Sequence, residues 1–311
     1  GRFTAMFERM AIDVMQECSI SAACGFLRIS WDEADGIKQR AVKRGLERKK
    51  PKVHRHLCID EKSVARGQQY VTLAAAADPE ATTVDYVGEG RTQESLDAYW
   101  RGLTPEQIQG IEAVAMDMWE PYVLSTIAAV PGGAEKIVHD PFHMMKHMND
   151  AVNDVRKAEH RELKSEGDER LDGTRWLWLY GMENVPESRR PAFDALKFAQ
   201  LKTSRAWTLK EMLRPLWLYR SEAWAQKHFR RWYNWAIRSR LEPVKKVARM
   251  LKRRLANILT YCKHRLSNGP MEGLNNKIQG LTKKAYGYRN VRRFINDIYF
   301  HCGGLNLYPG K

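Results

Sequence analysis

The sequence predicts an α/β protein, in which a mixed sheet with flanking helices carries a large all-helical insertion and follows an N-terminal helix-turn-helix. Three observations support this prediction. Residues 1 to about 48 show helical spacing of apolar residues, short apolar runs alternate with helices from about residue 53, and residues 165 to about 265 are again helical. We therefore divide the 311 residues into 1–50 and 51–311, with the insertion at about 165–265.

The chain is strongly basic. Its 52 Lys and Arg residues against 37 Asp and Glu give a net charge of +15 at pH 7. We read this charge as spread along the whole length rather than confined to a tail, which favours a polyanionic partner, with nucleic acid the first candidate. The charge does not exclude two alternatives, namely that the partner is anionic lipid or that the protein is basic and merely soluble.

Targeting signals and cysteine motifs are missing from the sequence. There is no run of transmembrane length, no apolar signal core and no initiating Met. We expect a cytoplasmic protein without a membrane partner, and the start of the chain is consistent with a fragment. The cysteines are odd in number and form no C-x-x-C pair, which argues against a zinc site and a disulfide framework and favours reduced thiols. They are Cys18, Cys24, Cys58, Cys262 and Cys302.

The first 48 residues predict three helices, the third of them basic and running from residue 31 to about 44. A helix, a tight turn and a basic helix form the outline of a helix-turn-helix, whose second helix enters the major groove of DNA. A small three-helix bundle has the same outline, although the basic linker at 45–52 favours the first interpretation. The candidate DNA contacts on the third helix are Lys38, Gln39, Lys43 and Arg44.

Strands alternate with helices beyond residue 53. Residues 56–59 and 70–76 predict two antiparallel strands around a turn at Gly67, and residues 81–87 predict a third. A helix from Thr92 to about residue 103 follows them.

Two further strands are predicted to end in an acid. The strand predicted at residues 111–116 is followed by Asp117, and the strand predicted at residues 135–139 is followed by Asp140. After each of these acids comes a proline that is suited to open a helix. Three strands, a helix, a strand, a helix, a strand and a helix are the layout of a ribonuclease-H-like domain. Parallel neighbours in such a sheet place their carboxyl ends on one edge, where sites form.

Asp60 follows the first predicted strand and is a candidate metal ligand. Side chains alternate across a strand, so Asp60 and Glu61 are predicted to point to opposite faces, and only one can serve a site. Two solvated turn residues are the ordinary alternative for an isolated pair of acids. Asp60 and Asp117 would face one another if the first and fourth strands were adjacent, as the fold hypothesis requires.

The helical block at about 165–265 is rich in tryptophan. Most of these side chains are expected to pack in the core or between helices, because large aromatic residues mainly supply buried area. Stacking on unpaired DNA bases is the alternative, and nearby arginines keep it open. The tryptophans are Trp176, Trp178, Trp207, Trp217, Trp224, Trp232 and Trp235, and the arginines are Arg230, Arg231, Arg238 and Arg240.

Glu272 lies in the first turn of a predicted helix that starts near Pro270. A carboxylate is favoured there by the positive helix end, which is also the ordinary structural explanation for it. A basic and aromatic segment at 283–294 then supplies charge that would neutralise a phosphate backbone. The buried stripe of the helix is predicted to be Met271, Leu274, Ile278, Leu281 and Ala285.

The segments LCIDEKS, AMDMWEPY, IVHDPFHMMKHMNDAVNDVR and LSNGPMEGLNNKIQGLTKKAYGYRNVRRF together resemble the DDE transposases of bacterial insertion sequences, specifically the ISL-three family. The resemblance covers nearly the whole chain, and its last segment is the most specific. It implies metal-dependent DNA cleavage at insertion-sequence ends and strand transfer of the 3′-hydroxyl into target DNA. The catalytic and metal-binding triad then falls on Asp60, Asp117 and Glu272.

The chemistry of this family implies two Mg²⁺ or Mn²⁺ ions, which activate the attacking oxygen and stabilise the leaving one. The implied partners are element ends and target DNA, bound by a homodimer or a higher assembly. Family members usually carry a cysteine-rich zinc-binding segment ahead of the helix-turn-helix, and its absence puts in doubt whether this chain alone recognises DNA ends. The proposed phosphate-holding residues are Lys283, Tyr286, Arg289 and Arg293.

Alternatives remain open for the metal site and for the function. His139, Asp140, His143 and His147 have a spacing that could hold zinc, although helix capping explains Asp140 without a metal, and Asp140 could also act as an accessory acid. A ribonuclease-H-like nuclease or resolvase would use the same metals without joining DNA. A transposase-derived DNA-binding protein would not catalyse at all.

Overall fold

The computed structural model describes residues 3–64, 69–77 and 82–310. The predicted turn at Gly67 and the first residue of the third predicted strand, Ala81, lie outside the described residues. The chain forms two compact units, one made of residues 1–137 and 268–311 and the other of residues 138–267. The first unit contains the N-terminal helices as well as most of the sheet, and the predicted insertion falls within the second.

The described strands form one five-stranded mixed sheet in the order β3-β2-β1-β4-β5. β1 is antiparallel to β2 and parallel to β4, and β2 is antiparallel to β3. This sheet and its many helices confirm the predicted α/β, ribonuclease-H-like fold. The strands are β1 (His56–Ser63), β2 (Tyr70–Ala77), β3 (Thr82–Glu89), β4 (Ala113–Met116) and β5 (Ile137–His139).

One face of the sheet is covered by α4 (Gln93–Arg101) and α6 (Glu120–Ala129). Leu57, Ile59, Val114 and Met116 are fully buried beneath them, together with Trp100 of α4. These alternate residues of two adjacent strands share a face because successive side chains of a strand point to opposite sides. Burial of such large apolar side chains stabilises the fold by roughly 1.5–3 kcal/mol each.

Several predicted boundaries were wrong, and one helix was missed. β1 continues to Ser63, so Asp60, which was predicted to follow this strand, lies within it. Residues 135 and 136 belong to α7 (Gly133–Lys136), which forms one helical turn before β5, and β4 begins two residues later than predicted. The N-cap of this helical turn is Gly132, whose φ of 67° suits glycine. The missed helix is α5 (Pro105–Gln109). Its start is a capping box between Thr104 and Gln107, a signal that the sequence contains.

The N-terminal helices occur where the sequence predicts them. They are α1 (Ala5–Glu17), α2 (Ile20–Leu27) and α3 (Trp31–Glu47). Thr4, Ser19 and Ser30 cap them, and Ser30 forms a capping box with Glu33. The function of α2 and α3 as a helix-turn-helix stays a prediction.

The chain returns to the first unit in α16 (Gly269–Lys284), followed by α17 (Val291–Cys302). α16 contacts β1 and α17 contacts α3. The predicted stripe of α16 is buried at Met271, Leu274 and Ile278, but Ala285 is exposed, because it lies just beyond the last helical residue.

In the second unit, Trp178, Trp207, Trp217 and Trp232 are buried, as most of the tryptophans were predicted to be. Among the described residues no helix is both long and apolar enough to span a membrane. The helices of this unit are α8 (Pro141–Ser165), α9 (Arg175–Leu179), α10 (Arg190–Phe198), α11 (Lys202–Leu213), α12 (Glu222–Arg238), α13 (Glu242–Arg253), α14 (Leu255–Leu259) and α15 (Tyr261–His264).

Candidate active site on β1, β4 and α16

Asp60 and Glu61 lie on opposite faces of β1. Asp60 Oδ2 accepts a 2.6 Å hydrogen bond from Asn275 Nδ2 of α16. The Glu61 carboxylate lies 3.7 Å from the guanidinium of Arg91, which precedes α4. Asp60 thus faces the helix that carries Glu272, whereas Glu61 faces the α4 side of the sheet.

Asp117 comes directly after β4, one position beyond the last residue that pairs with β1. The parallel register pairs Cys58 with Ala115 and Ile59 with Met116, so one further position along both strands aligns Asp60 with Asp117. Neighbouring strands are about 4.8 Å apart, and aligned residues of a sheet share a face. The parallel pairing therefore brings two acids that are distant in sequence to one edge of the sheet.

The same local hydrogen bond orients both aspartates. The backbone amide of Glu61 donates to Asp60 Oδ1 at 2.9 Å, and the backbone amide of Met118 donates to Asp117 Oδ1 at 2.6 Å. Each acid therefore has one carboxylate oxygen fixed by the backbone amide of the next residue.

Glu272 lies in the first turn of α16 and its side chain is exposed. Asn275, which contacts Asp60, follows three residues later, and residues at this spacing have Cβ atoms about 5–6 Å apart on one helix face. The contact between Asn275 and Asp60 thus brings the N-terminal part of α16, which carries Glu272, to the Asp60 side of the sheet.

Two residues of this site had no role in the sequence-based hypothesis, namely Asn275 and Lys62. Lys62 Nζ donates to the Asn275 carbonyl oxygen at 3.2 Å. Burial lowers the pKa of Lys62, and the nearby Asp60 charge opposes that shift. The signal for both was periodicity, since Lys62 is two residues from Asp60 on a strand and Asn275 three from Glu272 on a helix.

The carboxylates of this site partly fit the ligand requirements of a magnesium-type ion. In residues 3–64, 69–77 and 82–310, no group of three or more His, Cys, Asp or Glu side chains is arranged to hold a metal ion, so the three predicted acids do not form a closed ligand set. Mg²⁺, however, usually takes one or two protein carboxylates and completes its shell with water and substrate phosphate. Asp60 within β1 and Asp117 directly after the adjacent strand β4 supply such carboxylates.

The finding on metal groups also covers the histidine cluster around β5. His139, Asp140, His143 and His147 form no such group in the described part of the chain. Asp140 instead caps α8, where its Oδ1 accepts from the Phe142 amide at 3.3 Å, as helix capping predicts.

The predicted contacts on α3 differ in their exposure. Lys38 is only 4% exposed and forms an ion pair with Asp297 of α17, so its ammonium is directed into the protein. The DNA contact predicted for Lys38 stays a prediction that this position does not favour. Arg44 donates to the Leu307 carbonyl at 2.7 Å. Gln39 is exposed and donates to Asp35 at 2.8 Å. Lys43, with a side chain that is 78% exposed, extends into solvent.

The predicted phosphate-holding residues lie at the end of α16 and the start of α17. Lys283 and Arg289 are exposed, and Tyr286 is fully exposed. Arg293 stacks at 4.3 Å over the Trp31 ring and pairs with Asp35. A cavity of about 780 Å³ between this segment and the N-terminal helices is lined by several of these side chains.

Asn275→Ala is expected to lower the free energy of unfolding by about 1.5–3 kcal/mol, because hydrogen bonds to charged groups contribute that much. Chemical denaturation measures the change. Asn276→Ala removes the same groups from an exposed neighbour on the helix and should change stability by less than about 0.5 kcal/mol. Equal losses in the two variants would contradict a specific role for Asn275.

Comparison with known proteins adds independent information. The model of a transposase family, the ISL-three type of DDE transposases, matches residues 57–298. The transposase of insertion sequence IS1001 from Bordetella parapertussis is 28% identical over 96% of this chain and 74% of its own length. The transposase of IS1557 from Mycobacterium tuberculosis is 26% identical over 89% of this chain and 67% of its own length. The chain therefore belongs to the ISL-three family of DDE transposases.

Proposed function

We propose that this transposase cleaves DNA at the ends of its insertion sequence and joins the freed 3′-hydroxyl to target DNA, with Asp60, Asp117 and Glu272 as its catalytic carboxylates. The observation that carries the proposal is the parallel register of β1 and β4, which aligns Asp60 with Asp117. The contact of Asn275 with Asp60 adds the helix that bears Glu272.

These carboxylates would hold two Mg²⁺ or Mn²⁺ ions, which when bound activate the attacking oxygen and stabilise the leaving oxygen of a phosphodiester. Asp60 would be shared by both sites, with Asp117 and Glu272 completing one each. Glu272 is exposed, and among the described residues the three acids form no closed ligand set, so metal binding would require the first turn of α16 to move toward the two aspartates. The Asn275 amide and the Glu61 backbone amide orient Asp60.

Basic and polar side chains of this chain would hold the DNA backbone near these acids. Lys43 and Gln39 lie on the exposed side of α3. The others are Lys283 in the last turn of α16, and Tyr286 and Arg289 just after that helix. Arg293 would join them by exchanging its contact with Asp35 for a phosphate. We propose that the active form is a homodimer or higher assembly, since two element ends are processed together, and that it acts on the nucleoid in the cytoplasm.

A strand-transfer assay with labelled element ends and Mg²⁺ tests the reaction type. We expect both a cleaved end and a product in which that end is joined to target DNA. An end that terminates in a 3′-deoxynucleotide is the matched control and should give no joined product. Cleavage without joining would indicate a nuclease or resolvase, and binding without either product would indicate a DNA-binding protein derived from a transposase.

A further inference from the structure

The positive charge of the chain is concentrated in the second unit, which corrects the expectation of an even spread. Residues 220–265 contain fourteen Lys and Arg residues and two acids, Glu222 and Glu242, a difference of +12. The whole chain has a net charge of +15. The helices α12 to α15 therefore carry most of the excess charge, far in sequence from the predicted DNA contacts of α3.

One of the two acids in this stretch is already neutralised. Glu242 accepts from Lys245 at 2.8 Å and from Arg249 at 3.0 Å. Exposed cations such as Lys227, Arg230 and Lys252 form no ion pair with a carboxylate within the residues that the structure describes. Their charge is left to attract an external polyanion.

Three of these cations line a single cleft of about 490 Å³ next to α12. Lys227 and Arg230 lie one turn apart on α12, and Lys252 lies near the end of α13. Tyr233 forms part of the wall, with Lys252 Nζ 4.8 Å from its ring centre. Among the described residues no acid lines the cleft, so its chemistry suits a phosphate group.

Aromatic side chains continue this basic surface along α12. Trp224 is 59% exposed and Trp235 is 43% exposed, although tryptophan normally contributes buried area. Lys227 Nζ lies 5.0 Å from the Trp224 ring centre. Trp224, Lys227, Arg231 and Trp235 recur at intervals of three or four residues, which places them on one face of the helix.

We propose that the α12 surface binds single-stranded DNA, with phosphates in the cleft of Lys227, Arg230 and Lys252 and unpaired bases stacked on Trp224 and Trp235. The proposal rests on the proposed function in taking DNA as the partner. An interleaved set of cations and exposed aromatic rings is the arrangement that binds single strands, since each base offers a face for stacking. In a duplex the base faces are already stacked on one another, so the tryptophans would contribute little.

The test measures binding of the full chain to a labelled oligothymidine strand, in EDTA and over a series of salt concentrations. The variant Lys227→Gln/Arg230→Gln/Lys252→Gln should reduce the slope of log K against log salt by about 2, since each phosphate contact contributes about 0.7 for single strands. Arg189→Gln/Arg190→Gln/Arg205→Gln is the matched control, because it removes the same charge from exposed positions of the same unit. This control should change the slope little.

The stacking of bases on Trp224 and Trp235 is tested by comparing the binding of single-stranded and duplex DNA. Trp224→Ala and Trp235→Ala should each weaken binding of the strand about 5- to 100-fold and leave binding of a matched duplex within about twofold, because stacking acts only on unpaired bases. Equal slopes in the two triple variants, or tryptophan variants that affect strand and duplex alike or neither, would overturn the proposal. Binding in EDTA does not require catalysis, so the two proposals can fail separately. If the chain joins DNA but these substitutions do not change its binding of the strand, only the present proposal is refuted. If binding changes as expected but the chain never joins DNA, only the proposed function is refuted.

Discussion

Asp60→Asn is expected to reduce DNA cleavage and strand transfer by about 1000-fold or more. Loss of a charged metal ligand removes several kcal/mol of transition-state stabilisation, and each 1.36 kcal/mol is a factor of ten in rate. Asparagine has nearly the same shape, and its oxygen can still accept from Asn275 Nδ2. The substitution should therefore leave the fold and the metal-independent binding of DNA unchanged, while end cleavage in Mg²⁺ measures the loss.

Glu61→Gln is the matched control for this experiment. Glu61 is the next residue of β1, carries the same type of charge and faces Arg91 on the other side of the sheet. Cleavage by this variant should stay within a few-fold of the original rate, because an ion pair of this kind is partly exposed and contributes about 1 kcal/mol or less. If Glu61→Gln abolished cleavage and Asp60→Asn did not, the assignment of the catalytic face would be reversed.

The other two proposed ligands are tested in the same assay. Asp117→Asn and Glu272→Gln should also reduce cleavage by about 1000-fold if each carboxylate supports one metal ion. Full activity of Glu272→Gln together with loss in Asp60→Asn would show that the exposed first turn of α16 does not close on the two aspartates.

Asp85→Asn is expected to destabilise the first unit by about 2–4 kcal/mol, because it breaks a buried, charged hydrogen-bond network. Asp85 of β3 accepts from the Tyr99 hydroxyl at 2.7 Å and pairs with Lys49, and its side chain is only 8% exposed. His54 lies 3.6 Å from the same carboxylate. The network thus fastens the basic segment between α3 and β1 to the sheet. Chemical denaturation measures the loss.

The same network predicts how stability depends on pH. Burial raises the pKa of Asp85, but hydrogen bonds from His54 and Lys49 and the charge of Lys49 outweigh it and hold that pKa well below its usual 3.8. A depressed folded-state pKa adds stability that is present above the unfolded value, near pH 4, and is lost as the pH falls below it. Asp85→Asn should therefore reduce the acid-induced loss of stability. Glu89→Gln, an exposed position on β3, should leave it unchanged.

Much of the local structure follows from the sequence, because its signals are local. Helix caps at Ser19, Ser30 and Asp140 lie where the side-chain chemistry predicts them. The alternation of a strand separates Asp60 from Glu61 without any tertiary information. The predicted strand boundary was wrong at residues 135–136, because a single helical turn before a three-residue strand leaves too little periodicity to be recognised.

The sequence by itself determined that Asp117 directly follows a strand and that Glu272 lies in the first turn of a helix. Its prediction of a strand end at Asp60 was wrong, because β1 continues to Ser63. Only the tertiary structure decided that β1 and β4 are parallel neighbours and that Asn275, 215 residues from Asp60, donates to its carboxylate. It also decided that Lys38 is buried against Asp297 although its spacing suited a DNA contact. These outcomes depend on strand register and on helix packing between distant segments, and such long-range contacts leave no periodic pattern in the chain.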